Sequence, residues 1–276
     1  MGKIKINFKI LHLKPKILVT RLLKRLLVFL GIICCTGLLV YLTNLQSIAV
    51  YKSISRNIES SSPSLFNKIP EYQVNKNNLS TAKIHPLPEN LQKWQDQNNN
   101  GDYFEQVKST QVGYLIWSNF PIKIFIETPQ NTNKNQAEAW VKVISQTVAE
   151  WNAYLPLQLV EKAELADITI LRKAPPLQGN PPRARSAQTS YEIYTKNNFL
   201  NHKFTILLSP SQTGKYLVAA FRHELGHALG IWGHSPLPSD ALYFSQVRNP
   251  PLISARDVNT LKKVYEQPTN LGWNVD

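Results

Sequence analysis

Hydrophobic positions along the chain fall into stretches of different spacing, and each change of spacing marks a different kind of element. Leu26 to Leu42, LLVFLGIICCTGLLVYL, is continuously apolar. Its length approaches the roughly 20 residues that cross a hydrocarbon core. From Ser53 to Gln106 the apolar residues show no period, and Ser, Asn, Pro and Lys dominate. Such a segment is expected to be an extended tether with turns near Pro70, Pro86 and Pro88, or else to fold back on the domain that follows. The pattern becomes regular from about Val112. Pro121–Ile126 reads as a strand; Ala137, Trp140, Val141, Ile144, Val148 and Trp151 then recur at helical spacing and predict an amphipathic helix over 135–153. Short strands follow at 157–160 and 168–171.

Residues 174–190 carry Pro175, Pro176, Pro181 and Pro182 and read as a long loop. Strands are expected at 190–195 and 203–209, and a second helix from Gly214 or Lys215 to about Gly230. Strand, helix, several strands and a further helix predict an α/β (α+β) domain with a mixed sheet. The resulting organisation is a basic tail (1–25), an apolar segment (26–45), a polar linker (46–108) and a folded domain (109–276).

Charge changes only the reading of the N-terminus. The formal net charge is +13, but eight Lys and Arg residues lie between Lys3 and Arg25 with no acidic residue among them. The rest of the chain therefore carries about +5, an ordinary surface charge that does not point to nucleic acid. A basic flank before an apolar stretch predicts a signal-anchor in a bilayer with the domain extracytoplasmic, or a secreted protein if cleavage follows the small residues near Ser47 and Ala49. Both cysteines, Cys34 and Cys35, lie inside the apolar stretch. The folded domain thus has no disulfide and no cysteine ligand.

The second predicted helix contains HELGH, residues 223–227. Histidines four apart share a helical face, so the imidazoles of His223 and His227 can approach one ion. Zinc accepts neutral imidazole and commonly has three protein ligands when it is catalytic. Glu224 adjoins the first ligand and can reach a metal-activated water as general base. Gly230 permits a tight exit from the helix, after which His234 can fold back as third ligand. His12, His85 and His202 lack such pairing and are expected in ordinary tail or surface roles. Isolated carboxylates at Asp167, Asp240 and Asp257 leave Ca2+ without a specific motif.

The longer stretch HELGHALGIWGHS resembles the metzincin zinc peptidases, and their matrixin-like branch in particular. That family carries HExxHxxGxxH; His223, Glu224, His227 and Gly230 match by position, whereas Gly233 occupies the slot of the third histidine and His234 comes one residue later. The resemblance extends over about 112–268 through IWSNFPIKIFI, ADITI and RDVNTLKKVY, the last similar to the family's closing helix. PSDALYF, residues 238–244, resembles the Met-turn region, with Leu242 where the family has methionine. No cysteine is present in the domain to block the zinc, and His202 alone cannot build the matrixin structural zinc site.

The resemblance implies a metzincin-like zincin domain with a twisted mixed sheet, a backing helix and an active-site helix. It implies a monomeric zinc metalloendopeptidase with zinc on His223, His227 and His234 and Glu224 as base. SYEIY at 190–194 becomes the edge for an extended polypeptide substrate, and Tyr243 a wall of the adjoining pocket. Trp232 is expected to pack beneath the helix rather than to line the site. Two other readings fit the residues: a zinc amidase acting on cell-wall peptides, and a membrane-tethered zinc-fold binding module.

Overall fold

The computed structural model describes residue 79, residues 81–130 and residues 132–275, all within one compact unit, Ile69–Asp276. The basic tail, the 26–45 segment, His12 and most of the linker lie outside the described residues. Among those described, no helix is long and apolar enough to cross a membrane. The longest, Lys134–Asn152, has 19 residues, but it exposes Lys134, Glu138 and Lys142 and buries only one face. The expected single-pass membrane localisation, with its bilayer partner, is therefore corrected: no described element supports it, and the apolar segment that suggested it is not among the described residues.

Five strands form one sheet in the order β2-β1-β3-β5-β4. They are β1 (Ile122–Ile126), β2 (Leu157–Val160), β3 (Ile168–Leu171), β4 (Ala187–Lys196) and β5 (Phe199–Leu208). β2, β1, β3 and β5 run parallel, with Ile124 opposite Ile168 and Ile168 opposite Phe204. β4 returns antiparallel along β5 and is an edge. The hairpin between them turns on Asn197 and Asn198, at φ of 51° and 66°, left-handed conformations that asparagine tolerates and two-residue hairpin turns require. The sheet is thus mixed, as expected, but β4 starts at Ala187, three residues inside the stretch read as loop.

Four α-helices accompany the sheet among the described residues: α1 (Glu89–Lys93), α2 (Lys134–Asn152), α3 (Gly214–Ala228) and α4 (Ala255–Tyr265). α2 starts where the Asn133 side chain accepts from the Gln136 amide, satisfying one of the free donors of its first turn. It covers the sheet with Trp140, Ile144, Val148 and Trp151 and packs on α3. Alternate strand residues Ile122, Ile124, Ile168, Ile170 and Ile206 are completely buried, each worth about 1.5–3 kcal/mol of transfer free energy. α4 carries a reciprocal capping box between Ser254 and Asp257.

Residues 81–108 fold back on the domain. Leu91, Tyr103 and Val107 are buried in the common core. Trp94 Nε1 donates to Asn259 Oδ1 at 2.8 Å, and Arg256 Nη2 donates to the Asp102 carbonyl at 3.0 Å, so α4 holds this polar segment largely by hydrogen bonds.

Candidate metal centre

α3 presents the HELGH motif, and its end decides where the chain goes next. Ile231 N–H donates to Gly226 O and Gly230 N–H to His227 O, both at 3.1 Å, the Schellman pair that closes a helix. Gly230 sits at φ +131°, a region L side chains avoid. The two remaining terminal carbonyls are met from outside: Trp117 Nε1 donates to Ala228 O at 2.9 Å and Tyr265 hydroxyl to Leu229 O at 3.0 Å. No carbonyl of the last turn is left unbonded, although every residue there is buried.

The far face of α3 is locked equally firmly. Arg222, beside the first histidine, is 5% exposed and grips Glu150 of α2 through Nε–Oε2 at 2.5 Å and Nη2–Oε1 at 2.9 Å. Its Nη1 reaches Pro251 O, and Trp151 Nε1 donates to Arg222 O. Gly226 faces Leu242: a Cβ built there would lie 2.7 Å from Leu242 Cδ2 and 3.0 Å from Trp151. Leu242 is fully buried and supports the helix from below, an apolar residue in the place where the sequence suggested one.

The three histidines meet. One ring nitrogen from each of His223, His227 and His234 lies within 4.8 Å of the other two, and among the described residues they are the group able to hold a metal ion. His223 Nδ1 lies 3.0 Å from Ala241 O, and His227 Nδ1 lies 2.7 Å from Ile231 O. A carbonyl only accepts, so each Nδ1 carries the proton and each Nε2 presents a lone pair. Those two Nε2 atoms stand 3.0 Å apart. Two lone pairs at that distance repel unless a proton or a metal ion is shared between them. The spacing is near the ~3.3 Å edge of a tetrahedron built on metal–nitrogen bonds of about 2.0–2.1 Å. Burial holds His227 well below the usual histidine range, with His223 and His234 adding to the effect. His234 is lowered to about 3 by burial, with the charges of His223, Lys108 and Arg185 contributing. Burial thus favours the neutral, metal-binding form of His227 and His234, and a set of three imidazole nitrogens is a donor set that fits zinc.

Glu224 opens onto the same cavity as His223 and His234, a cleft of about 410 Å³ between α3, the start of β4 and the 240–251 loop. Its Oε2 accepts from Thr189 Oγ1 at 2.6 Å. Thr189 stands on β4, just before the SYEIY run, at the sheet edge beside the metal site. Tyr243 lines the cleft, as expected. Trp232 is 7% exposed and packs edge-on against Tyr191, centroids 5.1 Å apart, beneath the site.

Behind the three histidines lies a buried polar frame. Asp257 accepts from the amides of Ala241 and Ser254, each at 2.8 Å, and from Tyr103 hydroxyl at 2.5 Å. Ala241 in turn offers its carbonyl to His223, so a buried carboxylate fixes the loop that orients this imidazole. Burial raises the Asp257 pKa despite these bonds. Asp240 pairs with Arg256 at 3.0 Å, and Asp167 accepts from the Lys123 amide at 2.8 Å. These carboxylates, considered for calcium from the sequence, thus each have protein partners. Among the other histidines, His85 stacks on Trp273 and His202 on Trp117, at 4.2 and 4.0 Å between centroids. His202 is buried, not at the surface.

Thr189 and Arg222 were not visible as site residues in the sequence, and Asp257 was singled out there only for calcium, because each acts on a partner far away along the chain. Only the placement of Thr189 next to the expected edge strand gave a signal. Compared with known protein families and curated proteins, the chain matches no family model and no individual protein.

Proposed function

We propose that this protein is a zinc-dependent endopeptidase of the metzincin type, with His223, His227 and His234 as ligands and Glu224 as general base. The observation that carries the reading is the opening of Glu224 onto one cleft with the histidine cluster. A purely structural metal site has no use for an adjacent carboxylate facing a cavity.

Zinc held there supplies Lewis acidity, acidifying water and polarising a carbonyl. Glu224 accepts the proton of the attacking water and returns it to the leaving amine. Thr189 donates to Oε2 and fixes the carboxylate rotamer. The Nδ1–carbonyl bonds of His223 and His227 hold both rings in the tautomer that keeps Nε2 available. β4, an edge strand, offers main-chain groups along which an extended polypeptide can pair, and the 410 Å³ cleft accepts a side chain next to the scissile bond.

The test joins zinc analysis of the full chain with a peptide-library digest by wild type and Glu224→Gln. Stoichiometric zinc in both, with cleavage reduced by about 10²-fold or more in the variant, is the expected result. Zinc without any Glu224-dependent cleavage would replace this reading with a zinc-fold binding module or an amidase of narrower substrate range.

A further inference from the structure

The motif holds one residue more before its third histidine than the family pattern, and that residue is where another part of the chain crosses. A Cβ built on Gly233 would fall 2.1 Å from Gln106 O, 2.8 Å from the Gln106 carbonyl carbon and 2.9 Å from Val107 Cα. No side chain fits there unless the backbone of 106–107 moves. Val107 and Gly233 form an antiparallel bridge, and Lys108 N–H donates to Trp232 O at 3.0 Å. On the other side of His234, Ser235 N–H donates to Leu242 O at 2.8 Å. The third histidine is thus held between two backbone clamps, one of them supplied by residues 106–108.

That strap is itself anchored. Tyr103 N–H donates to Thr260 Oγ1 at 3.0 Å, its hydroxyl to Asp257, and Lys263 pairs with Asp102 at 2.7 Å. Between the Schellman end of α3 and His234 lie only Ile231, Trp232 and Gly233. A short stretch ending in glycine has much conformational freedom to lose before its histidine can reach a common point with the two helix-borne rings. The crossing strand removes that freedom in advance.

We propose that Gln106–Lys108 is a positioning strap for the third ligand, and that the metal affinity of the three-histidine site depends on it. The inference rests on the zinc reading above. It makes the segment before the sheet domain a working part of the site.

The test uses the full chain and two readouts: zinc affinity by chelator competition, and the visible absorption of bound Co2+, which reports the coordination of the ion. Gly233→Ala places a methyl group against Gln106 O. Lys108→Pro removes the amide donor, whereas Lys108→Ala keeps it and isolates the effect of losing the side chain; His234→Ala marks full loss of the third ligand. Gly233→Ala and Lys108→Pro are each expected to weaken zinc binding at least ten-fold and to shift the Co2+ spectrum towards that of His234→Ala. Lys108→Ala, which removes a positive charge that acts on His234 but keeps the amide, should bind zinc no more weakly than wild type and keep the wild-type Co2+ spectrum. Cooperative thermal unfolding of the chelated variants keeps a ligand effect separate from a folding failure, and Lys108→Pro decides if Gly233→Ala does not fold. Wild-type zinc affinity and spectrum in the folded variants would overturn the strap alone. Absence of zinc binding by the wild type would overturn the metal reading itself.

Discussion

Replacing His202 with Phe should flatten the acid limb of the protein's stability. His202 lies on β5, 4% exposed, stacked on Trp117 at 4.0 Å and edge-on to Phe204 at 5.3 Å. Its Nε2 has no hydrogen-bond partner. Burial lowers its pKa to about 3, against about 6.5 in an unfolded chain. Between these values the unfolded state binds a proton that the folded state refuses, so unfolding stability rises with pH. The contribution is complete above the unfolded value and is lost as pH falls from there towards the folded one. At about 1.4 kcal/mol per pH unit, the gap implies about 5 kcal/mol at most, and about 2.7 kcal/mol already lost at pH 4.5. Phe keeps the ring packing and removes both the titration and the unpaired nitrogen. Urea unfolding of wild type and His202→Phe, both with chelator, measures the difference from pH 7.5 to 4.5; His227 and His234 titrate in both proteins and cancel. The variant should be at least as stable as wild type at pH 7.5 and gain about 2–3 kcal/mol on it by pH 4.5. Parallel profiles over that range would refute the reasoning.

Four further outcomes follow from the site's construction. Leu242→Ala should cost about 2–5 kcal/mol in urea unfolding, because it empties the space beneath Gly226, whereas Leu242→Met should cost less than about 1.5 kcal/mol. Glu150→Ala leaves Arg222 buried without its carboxylate and should lower stability by about 3 kcal/mol, measured by the same assay; an unchanged midpoint would show that the pair contributes nothing. Chelation should lower the melting temperature, and with zinc supplied a thousand-fold above its dissociation constant the stabilisation lost is about 4 kcal/mol. Thr189→Val should reduce peptide turnover about ten-fold, the worth of one hydrogen bond to a charged group, with zinc content unchanged and Ser restoring the rate.

The elements that sequence pattern located are those whose signal is local. The stripe from Ala137 to Trp151 gave α2 to within a residue, and HELGH followed by Gly230 gave α3 together with its exit. His223, His227 and His234 were legible for the same reason, since helix period and a glycine turn bring them together. What escaped depends on segments that meet only in the fold. β4 begins inside a proline-bearing loop because residues 187–189 find partners on β5, and no local signal distinguishes them from their neighbours. His202 reads as an unpaired histidine, yet alternation along β5 turns it inward against Trp117.

The polar segment before the sheet domain shows the same limit in the most instructive form. Its composition lacks the apolar period that announces a buried element, and Leu91, Tyr103 and Val107 are too widely and unevenly spaced to supply one. The segment is held instead by polar groups of α4 and by main-chain bonds, and main-chain bonds leave no trace in residue type. Gly233 is the one residue through which that contact is visible from the sequence: it has to be glycine because Gln106 O passes where its side chain would be. Counted along the motif, Gly233 is a one-residue departure that weakens the case for His234. Placed in the fold, it lets residues 106–107 cross immediately before His234, so the residue that makes the spacing irregular is also the one that admits the crossing segment beside the three convergent histidines.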